Sequence, residues 1–335
     1  MRRLKKVLLG FLAAVALLVA AAVAWVEVRW NHRYEEAPGP DLHASTDPAV
    51  IARGKYLVRG PAHCSNCHVA SWDEMARADR GEQLPLRGGL VFALPFGTLY
   101  SKNLTPDKQT GIGRYPDSLI FRMMRHSIKP DGTSTLALLM PFHQMADDDL
   151  IAVVSYLRSL EPIRNEVPEV HYSFLGKAVR TFAPIFRPVL GQTAPQHAPP
   201  EAPTRERGEY LARFVANCSG CHTKTDLATG RIVGPAFGGG MEFEPMPPGF
   251  PGSDRKTWFR SPNLTTDASG IMSNFPTREE WIQRFRLGRV LPGTPMHWGT
   301  FSRMSDADLE ALWIFFRGLP PITNEVGTTA FTPQS

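Results

Sequence analysis

Four cysteines and two histidines carry the clearest chemistry in this chain: Cys64-Ser65-Asn66-Cys67-His68 and Cys218-Ser219-Gly220-Cys221-His222. C-x-x-C-H is the attachment signature of c-type haem, in which two thiols add to the porphyrin vinyl groups and the following imidazole becomes the proximal ligand of the iron. The spacing has a mechanical reason. On a helical turn, two intervening residues bring both sulfurs to one edge of a flat macrocycle while the histidine projects beneath it. Every cysteine of the chain is used in this way. A zinc ribbon also uses C-x-x-C pairs, but its intervening stretch is about 15 to 20 residues, far shorter than the gap from Cys67 to Cys218. A thioredoxin-like site would want one C-x-x-C in a βαβ setting, and the pattern here does not read so.

The elements that must hold these motifs come in duplicate. Arg53-Gly54-Lys55-Tyr56-Leu57 precedes the first motif and Arg207-Gly208-Glu209-Tyr210-Leu211 the second, at the same offset that relates Cys64 to Cys218. After each motif comes a glycine- and proline-rich passage, then Asn103-Leu104-Thr105-Pro106-Asp107 or Asn263-Leu264-Thr265-Thr266-Asp267, then Gly111-Ile112 or Gly270-Ile271. Both halves finish on an amphipathic helix opened by Met-x-Asp, Met145 to Leu160 and Met304 to Leu319. Such self-similarity makes the halves copies of one module. Ser305 to Asp308 and Thr277 to Glu280 have capping-box spacing ahead of helical apolar patterns. Between the modules, residues 162–204 are rich in proline and read as a long, partly extended connector. Phe174, Phe182 and Phe186 in it predict that part of the connector packs on a module.

Arg2, Arg3, Lys5 and Lys6 precede an unbroken apolar run from Val7 to Val26. That length matches a membrane-spanning helix, and the positive flank would stay in the cytoplasm and place the remainder in the periplasm. Ala22-Val23-Ala24 keeps a removed signal peptide open as the alternative. The formal charge of +5 does not announce a nucleic-acid partner: without those four basic residues, 33 Lys and Arg stand against 32 Asp and Glu. The propionates of two haems would tip that balance toward acidic.

These residues resemble the class I c-type cytochrome domain in tandem, and more closely the di-haem and multi-haem cytochromes c related to the cytochrome subunit of membrane-bound alcohol and gluconate dehydrogenases. The resemblance rests on Gly54 with Tyr56, the haem motifs, Pro95-Phe96-Gly97, the Asn-Leu-Thr and Gly-Ile runs, and a methionine ahead of the Asp-rich final helix. Those dehydrogenase subunits usually carry three haem motifs, where this chain has two. The resemblance implies a mainly α fold of two tandem class I cytochrome c domains with loop-rich haem pockets. Their bounds are 48–161 and 205–320, with the N-terminal membrane helix or signal at 1–30, the connector at 162–204 and a C-terminal tail at 321–335. In that fold the first helix crosses the last where a glycine meets an aromatic residue, which pairs Gly54 with Tyr156 and Gly208 with Phe315.

The resemblance also implies the remaining iron ligand, a methionine about 70 to 80 residues after each motif. Met296, on the loop Pro292-Gly293-Thr294-Pro295-Met296, answers to it in the second half, with His297 as its rival. Met140 does so in the first half, with Met145 and His143 as rivals, while Met123 and Met124 read as helix core. A proline carbonyl would orient each proximal histidine, Pro235 in the second half and Pro85 in the first. Arg87, Tyr100, Asn103 and Asn263 are of types that could reach haem propionates. Histidine on one face and methionine on the other would leave no open iron position and would suit single-electron passage. The expected protein is thus a periplasmic di-haem carrier between a dehydrogenase or the quinol pool and a downstream cytochrome or terminal oxidase. Two competitors stand beside it: a di-haem peroxidase, whose iron must open to peroxide, and an electron-transfer subunit of a larger dehydrogenase complex.

Overall fold

The structure, a computed structural model, describes residues 2–35, 37–227 and 229–333; Met1 of the leader and Gln334 and Ser335 of the C-terminal tail lie outside them. Helix α1 (Arg2–Arg29) leads into the first half, built from α2 (Pro48–Arg59), α3 (Trp72–Asp79), α4 (Asp117–His126) and α5 (Asp147–Ser159). A three-stranded antiparallel sheet, β1 (Val91–Leu94), β2 (Gly97–Tyr100) and β3 (His171–Tyr172), lies beside them, with Val91 opposite Tyr100 and Gly97 opposite Tyr172. Helix α6 (Phe174–Phe182) follows. The second half comprises α7 (Arg205–Tyr210), which runs on through a π-turn, α8 (Cys218–His222), α9 (Arg278–Arg286), α10 (Trp298–Phe301) and α11 (Asp306–Arg317). A hairpin of β4 (Thr225–Asp226) and β5 (Arg231–Ile232), and a sheet of β6 (Glu242–Phe243), β7 (Trp258–Arg260) and β8 (Ala330–Phe331), complete it.

The helix starts follow local chemistry. Asp47 caps α2 by accepting from the Ala49 amide, with Pro48 at the first helical position. Thr277 and Glu280 form the expected capping box on α9, and Ser305 accepts from the Asp308 amide at the start of α11. In each half the first and last helices then cross at a glycine. A β-carbon on Gly54 would stand 1.8 Å from the Ala152 carbonyl oxygen and 2.8 Å from the Tyr156 β-carbon; on Gly208, 2.0 Å from the Ala311 oxygen and 2.7 Å from the Phe315 β-carbon. Only a residue without a side chain allows this approach, so both expected crossings are present.

The repeated unit runs further than the haem motifs and final helices suggest. Pro162-Ile163-Arg164-Asn165-Glu166-Val167 and Pro321-Ile322-Thr323-Asn324-Glu325-Val326 share one pattern. Both segments strap back onto their own half: Asn103 Nδ2 donates to the Ile163 carbonyl at 2.8 Å and Asn263 Nδ2 to that of Ile322 at 2.7 Å. Strands β3 and β8 then pair onto the two sheets in corresponding fashion. Of the three connector phenylalanines only Phe186 is buried, edge-on to Phe96 at 5.8 Å; Phe174 and Phe182 remain 49% and 61% exposed.

The two halves share one apolar core, in which Leu57, Phe121, Leu150 and Val153 of the first meet Leu211, Phe237, Phe315 and Phe316 of the second. Two reciprocal braces cross between them. Arg53 pairs with Asp149 inside the first half at 2.8 Å, and that carboxylate also accepts from the Tyr210 hydroxyl at 2.9 Å. Arg207 pairs with Asp308 inside the second half at 2.7 Å, and Asp308 accepts from the Tyr56 hydroxyl at 2.6 Å. Each tyrosine oxygen also accepts an amide at the opposite helix start, Ala146 at 3.0 Å and Ser305 at 3.1 Å. Asp79 and Arg289 add a third, nearly buried tie at 2.6 Å.

Candidate haem sites

Each C-x-x-C-H motif opens after a residue in the left-handed region, His63 at φ +43° and Asn217 at φ +52°. The first motif then winds as a 3-10 turn and the second as α8, so both turn their sulfurs and histidine by helical steps. The four thiols are unpaired, with Cys64, Cys67 and Cys218 half-buried and Cys221 exposed. Burial pushes the Cys64 and Cys218 thiols up to about 12, so neither is a ready thiolate. Among the described residues no three His, Cys, Asp or Glu side chains converge on a metal position, whereas a structural zinc takes four such ligands.

The proximal imidazoles are oriented by backbone carbonyls. His68 Nδ1 donates to the Lys102 carbonyl at 2.8 Å and His222 Nδ1 to that of Pro262 at 2.9 Å, which fixes the tautomer and leaves Nε2 to ligate. Burial lowers both imidazole pKa values, so the neutral ligating form is favoured. Lys102 and Pro262 hold the same place in the repeat, just before Asn103 and Asn263. The expectation that Pro235 and Pro85 would do this is therefore corrected. The Pro235 carbonyl is spent on the Gly238 amide at 3.0 Å, closing a tight turn, and Pro85 is exposed.

Glycines make the correct carbonyls reachable. Gly88 and Gly239, at φ +68° and +74°, return an amide to the His68 and His222 carbonyls at 2.9 and 2.8 Å. A β-carbon on either would come within 2.4 or 2.5 Å of the Lys102 or Pro262 carbonyl carbon. The next glycines, Gly89 and Gly240, pair their amides with Ser101 and Ser261 at 2.8 and 2.9 Å. This Gly-Gly pair after each motif is the signal that leads to the histidine's true partner.

Asn103 and Asn263 are corrected as propionate partners. Both are buried, and their side chains are consumed locally: Oδ1 accepts the amide of Thr105 or Thr265, and Nδ2 reaches the strap carbonyls. Arg87 pairs with Glu74 through Nη2 while its buried Nε has no partner among the described residues, and Tyr100 lies in β2 opposite Val91.

Met140 and Met296 are half-buried, and each packs against the shared core. Their rivals are engaged otherwise. Met145 is wholly buried in that core, and His143 bonds Ser127 Oγ through Nε2 at 2.8 Å. His297 stacks on His63 at 4.2 Å with planes 16° apart and accepts from Asn66 Nδ2 at 3.1 Å. Each half thus offers two thiols and an imidazole whose Nε2 has no partner among the described residues, which fits the attachment of haem c.

Paired C-x-x-C-H motifs with carbonyl-oriented histidines place the chain among relatives of the c-type cytochromes. Several of these relatives are cytochrome subunits of dehydrogenases. The chain is 28% identical to the cytochrome c subunit of alcohol dehydrogenase (quinone) from Gluconacetobacter polyoxogenes, over 86% of this chain and 60% of that protein. It is 34% identical to the gluconate 2-dehydrogenase cytochrome c subunit of Pantoea cypripedii, over 53% of this chain and 39% of that one. A diheme cytochrome c-type protein of Cereibacter sphaeroides matches at 27%, over 48% of this chain and 53% of its own. The chain spans between 18% and 60% of the length of the curated relatives it matches. No family model matches it. The resemblance to the cytochrome subunits of alcohol and gluconate dehydrogenases is thereby borne out, and cytochrome c kinship implies covalently bound haem c.

Proposed function

We propose that the chain is a di-haem c-type cytochrome of two tandem class I domains, held by α1 in the bacterial inner membrane with its body in the periplasm. It passes single electrons from a dehydrogenase or quinol-oxidising complex to a downstream cytochrome or terminal oxidase. The observation that supports this reading is the duplication of the C-x-x-C-H motif, each copy with its own carbonyl-oriented histidine. Haem held in this way supplies a one-electron iron couple. Cys64 with Cys67, and Cys218 with Cys221, would hold the haems through thioethers, and His68 and His222 would present Nε2 to the iron. Met140 and Met296 would supply the second protein ligands, thioethers that would raise the potential and leave no iron position for substrate. The names of the relatives favour a dehydrogenase as donor, and a second reading in which the chain is the electron-transfer subunit of such a complex.

Spectroelectrochemical titration of the matured protein tests this, with Met140→Ala and Met296→Ala beside the wild type. Two equivalents of haem are expected, and each variant should lower one potential and leave the other largely unmoved. One equivalent of haem, or no shift in either variant, would remove the assignment. Purification from membranes decides between carrier and subunit, since only the latter brings a dehydrogenase with it.

A further inference from the structure

Helix α6 has two faces that the electron-transfer reading does not explain together. Its inner face is bolted down. A β-carbon on Gly176 would lie 1.9 Å from the Phe96 carbonyl oxygen of the first half. Buried Arg180 donates to the Ser134 carbonyl at 2.6 Å, to the Tyr172 hydroxyl at 3.1 Å and to the Trp30 carbonyl at 2.9 Å. Lys177 pairs with Glu27 at 2.6 Å. The outer face carries Phe174, Leu175 and Phe182, which are 49%, 60% and 61% exposed. At 3.6 residues per turn those three fall within about 100° of one another, opposite Gly176 and Arg180.

The ties to α1 set the level at which this apolar stripe sits. The run from Val7 to Val26 spans about 30 Å at 1.5 Å per residue, the thickness of a hydrocarbon core. None of the apolar window of α1 is buried in the protein. Glu27 and Trp30 therefore emerge at the headgroup boundary, where Trp25 and Trp30 are well placed as interfacial aromatics. Because α6 is hydrogen-bonded to both Glu27 and Trp30, its uncovered stripe lies at that same boundary. The 3-10 turn after α6 packs on the turn Ala137–Leu139, whose Leu138 and Leu139 are 47% and 48% exposed and which leads directly into Met140.

We propose that α6 is an interfacial helix, inserting Phe174, Leu175 and Phe182 into the phospholipid surface around the exit of α1. This second contact stops the body swivelling on a single helix and holds the first half, with its Met140 loop, against the membrane. The proposal rests on the reading that α1 is retained and spans the bilayer.

The test uses the full matured chain in nanodiscs of phosphatidylethanolamine and phosphatidylglycerol, with nitroxide labels at Leu175→Cys, Phe182→Cys and, as a control exposed on α9 of the second half, Gln283→Cys. The unsubstituted chain serves as blank, because its native cysteines take no label once they are in thioethers. Labels at 175 and 182 are expected to lose accessibility to a water-soluble nickel relaxant and keep it to oxygen, with the reverse at 283. If 175 and 182 behave as 283 does, the proposal is overturned, and the stripe belongs to a protein partner absent from the nanodisc. Intact mass separates the two failures: a chain that has shed residues 1–30 overturns the anchor and this proposal together, whereas an intact chain with water-exposed labels overturns only this one.

Discussion

Tyr56→Phe should weaken the second half of the molecule rather than the half in which it lies. The Tyr56 hydroxyl donates to Asp308 at 2.6 Å and accepts the Ser305 amide at 3.1 Å, so its removal deletes one charge-assisted bond and orphans one amide at the start of α11. A hydrogen bond to a charged group contributes about 1.5–3 kcal/mol, and an unsatisfied buried amide costs about 1–3 kcal/mol. Asp308 keeps its two bonds to Arg207, at 2.7 and 3.0 Å, so its charge remains compensated and the carboxylate's own loss is modest. The expected cost is therefore about 2–4 kcal/mol. Burial, and then the Asp308 charge, hold the phenol far above its ordinary pKa, so the loss is the same across the neutral range.

Native-state hydrogen exchange makes the directional part measurable. In Tyr56→Phe the Ser305 to Asp308 amides should lose protection while α2, which carries the substitution, keeps its own. Tyr210→Phe should do the converse, exposing the Ala146 to Asp149 amides, because its hydroxyl bonds Asp149 and the Ala146 amide. Loss of protection confined to the mutated half, in either variant, would refute the reciprocal brace. A wild-type exchange pattern would do so equally.

Gly54→Ala and Gly208→Ala should each destabilise by about 3 kcal/mol or more, since the new methyl meets a helix carbonyl at 1.8 or 2.0 Å. Thermal melting against Gly10→Ala, whose β-carbon meets nothing within 4 Å, checks this, and equal melting temperatures contradict the crossing. Burial, then the nearby charges of His126 and Arg125, pull the His143 pKa down to about 4. The folded state therefore binds fewer protons than the unfolded one between about pH 6.5 and pH 4, and stability falls as pH drops through that window. From pH 7.5 to pH 5 the wild type should lose about 2 kcal/mol more than His143→Gln, less to the extent that solvent reaches the ring. Parallel urea-unfolding curves at the two pH values would contradict it.

What the sequence reveals follows the reach of each signal. The haem motifs are local and chemically narrow, and the caps on α9 and α11 follow from residues three apart. The partner of each proximal histidine is a backbone carbonyl 34 or 40 residues away, and a carbonyl has no residue type to betray it. Pro235 looked suitable only because its own carbonyl's commitment to a turn is a matter of conformation. Pro-Ile-x-Asn-Glu-Val stands in both halves, yet it falls where prolines suggest a connector, outside the bounds that the motifs and final helices define. Strand pairing by β3 and β8 shows that it belongs to the module.

The braces between the halves were hidden for another reason. Arg53 and Tyr56 lie on one helix with a repeated spacing, but their partners divide: the arginine bonds a carboxylate of its own half and the tyrosine one of the other, 252 residues away. Duplication explains how such a contact arises. When a module meets its copy through the same patch, any favourable pair is made twice, as in an isologous dimer. One satisfied interaction thus becomes two without a second solution in sequence. The pairing departs from this rule at the His63 and His297 stack, because the corresponding positions are Asn217 and Pro141, which cannot form it. Burial holds both imidazoles below their ordinary pKa, His63 at about 4, so they meet as neutral rings. The halves have therefore diverged beside the attachment loop of the first motif and the Met296 loop of the second, where His63 and Asn66 of one half touch His297 of the other.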